Sequence, residues 1–173
     1  MVDELIVMKA INGDDDAFMV LINEHKERLY RTAYAYVKEE EAALDIVQET
    51  VYKAYISINK LREPKYFTTW IIKIVINISI NMYKERQKVI CIEQNELLNK
   101  AGGMVEDNDN RLYILEAIEK LESKYKDIII LKYFNDLTLQ EVSRVLDLPL
   151  GTVKTHLNKG LTILRSYMKK EVI

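Results

Sequence analysis

The sequence predicts an all-α protein: two small helical domains joined by a flexible linker, the second containing a helix-turn-helix. Three observations lead there. Only five Gly and two Pro interrupt 173 residues, 49% of them apolar, and the apolar positions recur at helical spacing. Between Val89 and Asn110 hydropathy drops and periodicity fades, with Gly102–Gly103 and the run EDNDN inside the stretch. Beyond it, Leu137 to Arg165 reads as helix, tight turn, helix. The expected divisions are therefore 1–88, a linker at 89–110, and 111–173.

Residues 3–12 read as a short amphipathic helix. Asp14–Asp16 supply a cap and first-turn acids for a helix running to about Val37. Phe18, Leu21, Ile22, Leu29, Ala33 and Tyr36 form its expected buried face. The Asp triplet lacks the alternating spacing and central Gly of a calcium loop. His25 has no Glu-x-x-His spacing, so no metal role is expected. Glu39–Glu41 open the next helix, to about Asn59. Leu44, Val47, Val51 and Tyr55 are expected to point inward. Asp45, Gln48, Glu49 and Tyr52 line another face at steps of three and four, suited to docking a basic or polar helix.

Pro64 breaks the helical pattern in Asn59–Tyr66 by pushing its predecessor out of helical geometry. This loop carries Lys60, Arg62, Lys65 and Tyr66. A helix starts near Phe67 and is apolar over most of its circumference, which makes it the expected core of the first domain. One polar stripe crosses it: Lys73, Asn77, Asn81, Lys84 and Lys88. Beside the basic loop, Tyr66, Phe67 and Trp70, this stripe suits a nucleic-acid single strand, with cations on phosphates and aromatic faces near bases. The competing reading places Phe67 and Trp70 in the core.

The linker could span up to roughly 70 Å when extended. Two DNA contacts one to two helical turns apart lie roughly 35–70 Å from each other. In the second domain, Leu112–Leu121 forms one helix and Ser123 caps the next, with Ile128, Ile129, Leu131, Tyr133 and Phe134 as its apolar set. Thr138 and Glu141 form a capping box. Asp147 stands where the chain must turn left-handed, a conformation Asp tolerates better than most residues. Pro149 can open the second helix of the pair. Val153, Leu157, Leu161 and Leu164 face inward. Thr152, Lys154, Thr155, His156, Asn158 and Lys159 are left outward, and no carboxylate lies between Asp147 and Glu171. That is the layout of a recognition helix for a major groove.

Net charge is −2, but the cations are clustered. Lys60 to Lys88 holds seven basic and two acidic residues; Leu150 to Ile173 holds five and one. Two basic patches on a weakly acidic chain fit two DNA contacts with limited non-specific binding. The single Cys91 excludes an internal disulfide and fits a reducing cytoplasm. No basic n-region marks a signal peptide, and the apolar stretch Trp70–Met82 is too short to span a bilayer. No phosphate loop, His-Glu-x-x-His, Cys pair or nucleophile elbow is present, so no enzymatic constellation and no cofactor are expected.

Three segments together resemble the extracytoplasmic-function class of bacterial RNA polymerase sigma factors. Asp45-Ile-Val-Gln-Glu-Thr50 is similar to the family's core-binding helix, Phe67 to Asn77 to its promoter-melting helix, and Gly151 to Leu157 to its recognition helix. They occur in the family's order and cover nearly the whole chain. The resemblance implies that Asp45, Gln48, Glu49 and Tyr52 contact core RNA polymerase. It implies that the Asn59–Tyr66 loop, with Asn77 and Asn81, captures the unpaired minus-ten strand of promoter DNA. Lys154, Thr155, His156, Asn158 and Lys159 would read the minus-thirty-five element. The family traps flipped bases and changes no bond, base capture offsetting the few kcal/mol of unstacking. A membrane-anchored anti-sigma factor is the implied regulatory partner. Three departures stand out: His156 where the family usually has Arg, Asp147 for the common turn Gly or Asn, and Lys159-Gly160-Leu161 for a more basic run. The alternatives are a stand-alone helix-turn-helix regulator and an adaptor that binds only protein.

Overall fold

The computed structural model describes residues 3–93 and 109–170, with side chains described for 3–86 and 114–168. Most of the expected linker, and the side chains of Lys88 and Cys91, lie outside these. The first unit comprises α1 (Glu4–Ile11), α2 (Asp15–Val37), α3 (Glu40–Ser57) and α4 (Phe67–Glu93). Short 3-10 turns at Ile58–Lys60 and Pro64–Tyr66 connect α3 to α4. The second comprises α5 (Asp109–Glu119), α6 (Ser123–Tyr133), α7 (Leu139–Leu146) and α8 (Leu150–Lys170).

Local chemistry sets the boundaries. The Asp14 carboxylate accepts from the Ala17 backbone N–H at 2.9 Å, so the first Asp of the triplet caps α2 and the next two lie in its first turn. Lys38 ends α2 in the left-handed conformation. Thr138 and Glu141 form the reciprocal capping box at α7, and Asp147 closes it at φ 53°, as the turn requires. α4 continues to Glu93, past the expected boundary at 88 and into the stretch read as linker. Nothing in Val89–Glu93 breaks a helix, and the loop signals lie further along.

α4 is the spine of the first unit: Phe67, Ile71, Ile72, Val75 and Ile76 are buried against α2 and α3. In the second unit α6 packs closely on α8, with Ile128, Ile129, Val153 and Leu157 inside. Tyr133, expected inside, is exposed, and Ile130 is buried instead. Gly160 explains the close approach of α6 and α8. A Cβ there would stand 2.9 Å from Ile129 Cδ1 and 3.2 Å from Tyr125 Cβ. Gly160 therefore belongs to packing, whatever it costs the basic run on the outer face.

The two units pack against each other. α7 lies on α4, α6 meets α2, and the buried apolar residues of both halves form one cluster. The seam also buries polar groups. The Tyr36 hydroxyl donates to Asp127 at 2.7 Å, and the Thr32 hydroxyl lies 2.8 Å from the Asn135 side-chain oxygen. Lys126, 3% exposed, has no hydrogen-bond partner among the described residues. Its ammonium sits 4.2 Å from the Tyr83 ring centroid and 5.2 Å from that of Tyr36. Burial lowers the Lys126 pKa from its ordinary value, and burial raises those of Asp127 and Tyr36.

Gly160→Val should overpack the α6–α8 contact and destabilise the protein by about 1–3 kcal/mol. A circular-dichroism thermal melt measures this, and an unchanged Tm would show that the contact relaxes freely.

Candidate docking face and nucleic-acid interface

α3 is apolar around much of its circumference, so its buried face was open to more than one choice. Packing selects Ala42, Ala43, Ile46, Thr50 and Ala54. The expectation that Leu44, Val47, Val51 and Tyr55 point inward is corrected: Leu44 is 46% and Tyr55 50% exposed, and Val47 and Val51 are half-buried. Small side chains let α3 approach α2 and α4 closely, and the larger apolar groups are then turned outward.

The result is an apolar groove of about 460 Å³ between α2 and α3, lined by Phe18, Met19, Val47, Val51, Tyr52 and Tyr55. Tyr55 is steadied at its rim by its hydroxyl, which donates to Asp15 at 2.9 Å, and by an edge contact with Phe18. Asp45, Gln48 and Glu49 are exposed, as expected, and Gln48 also lines the groove. Tyr52 is 63% exposed. Glu49 is held by Lys53 at 2.6 Å. Met19 escaped the sequence reading because it lies on another helix, and Phe18, expected in the core and buried there, forms the floor of the groove. The series Ala42, Ile46, Thr50 and Ala54, at steps of four and mostly small, was the available signal.

The loop and α4 carry the second set. Lys60, Arg62 and Lys65 are exposed, and Lys65 pairs with Glu63 at 2.7 Å. Asn77, Asn81 and Lys84 are exposed along one side of α4, and Lys73 is half-buried above them. Tyr66 and Trp70 are half-buried. Phe67 is corrected: it is 0% exposed, between His25 and Trp70, so no base can reach its ring. It anchors the start of α4. His25 helps, donating from Nδ1 to the Leu21 carbonyl at 2.8 Å while its Nε2 accepts from the Thr68 hydroxyl at 3.2 Å. That pattern needs the neutral ring, and burial lowers the His25 pKa. The Thr69 hydroxyl donates to the Tyr66 carbonyl, completing the first turn.

On α8, Lys154, Thr155, Asn158 and Lys159 are exposed and Thr152 is half-buried. The Thr155 hydroxyl donates to the Gly151 carbonyl at 3.0 Å. His156 departs from its expected outward position. It is half-buried edge-on to Tyr125, with ring centroids 5.4 Å apart, and its buried Nδ1 has no partner among the described residues. The turn of the helix-turn-helix meets the first unit: Asp147 pairs with Lys73 at 2.7 Å and the Arg144 guanidinium lies 5.0 Å from the Tyr66 ring centroid. Arg144 was not singled out in the sequence, because only the packed structure brings it to Tyr66.

The chain is similar to known proteins. Residues 21–89 match Sigma-70 region 2, and residues 111–164 match Sigma-70, region 4. The chain belongs to the extracytoplasmic-function family of RNA polymerase sigma factors, which direct the polymerase to promoters. It is 36% identical to the RNA polymerase sigma factor SigV of Bacillus subtilis, over 87% of this chain and 90% of that protein. It is 29% identical to SigW of the same organism, covering 96% and 98%. Among solved structures, CnrH in complex with the cytosolic domain of CnrY superposes with a TM-score of 0.76 at 18% identity, covering 97% of each chain. The sigma factor RpoE of Bartonella quintana, in complex with the anti-sigma factor NepR, gives 0.72 at 16% identity, covering 88% of this chain and 96% of that one. These two likenesses show the fold.

The His25 geometry sets a pH dependence. Its folded pKa lies below the ordinary 6.5, so its stabilising contribution is complete above 6.5 and is lost as pH falls through the lowered folded value. Urea unfolding between roughly pH 7 and pH 5 should show falling stability that flattens in His25→Gln. An identical slope in both proteins would remove His25 as the cause.

Proposed function

We propose that the α2–α3 groove and its acidic rim form the docking face for core RNA polymerase. The observation that carries this is the reversed α3: alanines inside, and an aromatic and aliphatic groove outside. A contiguous exposed apolar surface marks an interaction site. The partner element must present apolar side chains to Met19, Val47 and Val51, and donors or cations to Asp45, Gln48 and Glu49. Tyr52, exposed at the mouth of the groove, is the natural aromatic anchor.

The minus-ten strand is assigned to Lys60, Arg62, Lys65, Tyr66, Trp70, Lys73, Asn77, Asn81 and Lys84. Cations there meet phosphates, the two half-buried aromatics offer stacking faces, and the exposed asparagines offer donors and acceptors to bases. Phe67 positions this surface from beneath. The minus-thirty-five element is assigned to Thr152, Lys154, Thr155, Asn158 and Lys159 on α8. His156 serves it from a half-buried position, and its ring has to leave Tyr125 to reach a phosphate.

The structures of CnrH and RpoE were solved with CnrY and an anti-sigma factor, respectively. We assign this chain a comparable protein partner, membrane-anchored, that covers its promoter or polymerase faces. The chain itself is placed in the cytoplasm, where polymerase works. No helix among the described residues is long and apolar enough to cross a membrane.

Val51→Asp places a charge in the apolar groove and should weaken association with core polymerase about tenfold or more. The Asp45→Ala, Glu49→Ala double variant should weaken it as well. Co-purification with core polymerase reads both, and full retention by both variants would remove the docking face. Asn77→Ala should reduce promoter opening, followed by permanganate reactivity, more than it reduces duplex binding. Equal loss of both would remove the strand-capture role.

A further inference from the structure

His156 lies between the exposed Thr155 and Asn158 on α8, yet its ring is turned onto α6. It meets Tyr125 edge-on, with ring planes at 86° and centroids 5.4 Å apart, a favoured geometry for an aromatic pair. Tyr125 is 8% exposed and is itself held in place. The Lys124 ammonium, paired with Glu122 at 2.6 Å, lies 4.9 Å from the Tyr125 ring centroid. One turn further along α8, Gly160 makes room for the same residue: a Cβ there would stand 3.2 Å from Tyr125 Cβ. A single side chain of α6 thus meets α8 at two positions four residues apart. The buried Nδ1 of His156 has no partner among the described residues, so the ring is held there by shape and not by a hydrogen bond through that atom.

We propose that Tyr125 and His156 form a stop that fixes the roll of α8 about its own axis, so that both are positioning residues for minus-thirty-five recognition and neither touches DNA. The proposal rests on the assignment of Thr152, Lys154, Thr155, Asn158 and Lys159 made above. Val153 and Leu157 fill the inner face of α8. Apolar contact of that kind is non-directional, so it holds the helix down but resists rolling weakly. Gly160 sets how near α8 comes to α6, and the His156 ring on the flank blocks a roll toward α6. The requirement is strict at the DNA side. A roll of about 20° moves side-chain tips, about 5–6 Å from the helix axis, by about 2 Å. Hydrogen bonds to base edges span only about 2.7–3.2 Å and fail over such a shift. The stop therefore gives His156 a part in recognition without its ring leaving Tyr125.

The test uses the full chain assembled with core polymerase. Its probes are a duplex selected from a randomised library by the parent holoenzyme, and the same duplex with its minus-thirty-five segment scrambled. The readout is the ratio of the two affinities, which cancels any loss of folded protein, together with the salt dependence of each. His156→Ala should lower the ratio about three- to tenfold and leave the salt slope unchanged. His156→Phe keeps the ring, removes both nitrogens, and should hold the ratio within about twofold of the parent. Tyr125→Leu should match His156→Ala, and the double variant should lose no more than either alone. Lys159→Ala, a direct contact, should lower affinity and reduce the salt slope by about 1. Equal losses in His156→Phe and His156→Ala would make His156 a DNA contact and overturn the stop. Additive losses at 125 and 156, or an unchanged ratio in both single variants, would overturn it too, and in each case the Lys159→Ala effect would leave the minus-thirty-five assignment standing. Binding indifferent to Lys159→Ala and Asn158→Ala would overturn that assignment, and the stop with it.

Discussion

The surface this sigma factor offers its partners depends on how closely α3 approaches its neighbours. Ala42, Ala43 and Ala54, with Thr50, let α3 settle against α2 and α4. Larger residues on that face would hold the helices apart and leave voids in a core that packs at near-crystalline density. Once the small face is inside, Leu44, Val47, Val51 and Tyr55 are forced to the outside, beside Phe18 and Met19. The groove is a consequence of core packing. The acidic rim follows from the same rotation, since Asp45 and Glu49 flank whichever side faces solvent.

The spine helix α4 orders the candidate nucleic-acid surface. α4 buries Phe67, Ile71, Ile72, Val75 and Ile76, which directs Asn77, Asn81 and Lys84 outward in a row. His25, Phe67 and the Thr68 hydroxyl tie the first turn of α4 to α2, so the loop that carries Lys60, Arg62 and Lys65 leaves from a fixed point. The second unit is built on equally strict terms, with Gly160 bringing α8 onto α6 and the Thr138–Glu141 box fixing the start of α7. What differs is the seam between them. There, buried polar contacts and two exposed contacts from Arg144 and Asp147 join the two units. Exposed pairs of this kind contribute at most about 1 kcal/mol each.

Features written into adjacent residues were legible in advance. The Asp14 cap, the Thr138–Glu141 box and the left-handed Asp147 all rest on side chains within four residues of the backbone they serve, and all were anticipated. The course of α2 to Val37 was equally clear, because Phe18, Leu21, Ile22, Leu29, Ala33 and Tyr36 recur at helical spacing along its length. α3 was less clear for the opposite reason: it has two candidate apolar faces, and hydropathy favours the larger residues, whereas packing favours the smaller. Phe67 was placed on the wrong side of a fair alternative, since an aromatic at a helix start serves a core as readily as a ligand.

By itself, the sequence determined the all-α class, the order of the helices, the helix-turn-helix and the exposure of Asp45, Gln48, Glu49, Asn77, Asn81 and Lys159, because helical periodicity and capping are local. Tertiary structure alone decided the groove, the burial of Phe67, the edge contact of His156 on Tyr125 and the seam joining Lys73 to Asp147 and Tyr66 to Arg144. Each of these joins residues on different helices, or chooses between faces of one helix. Such choices are made by shape and close packing across the core, which no spacing along the chain records.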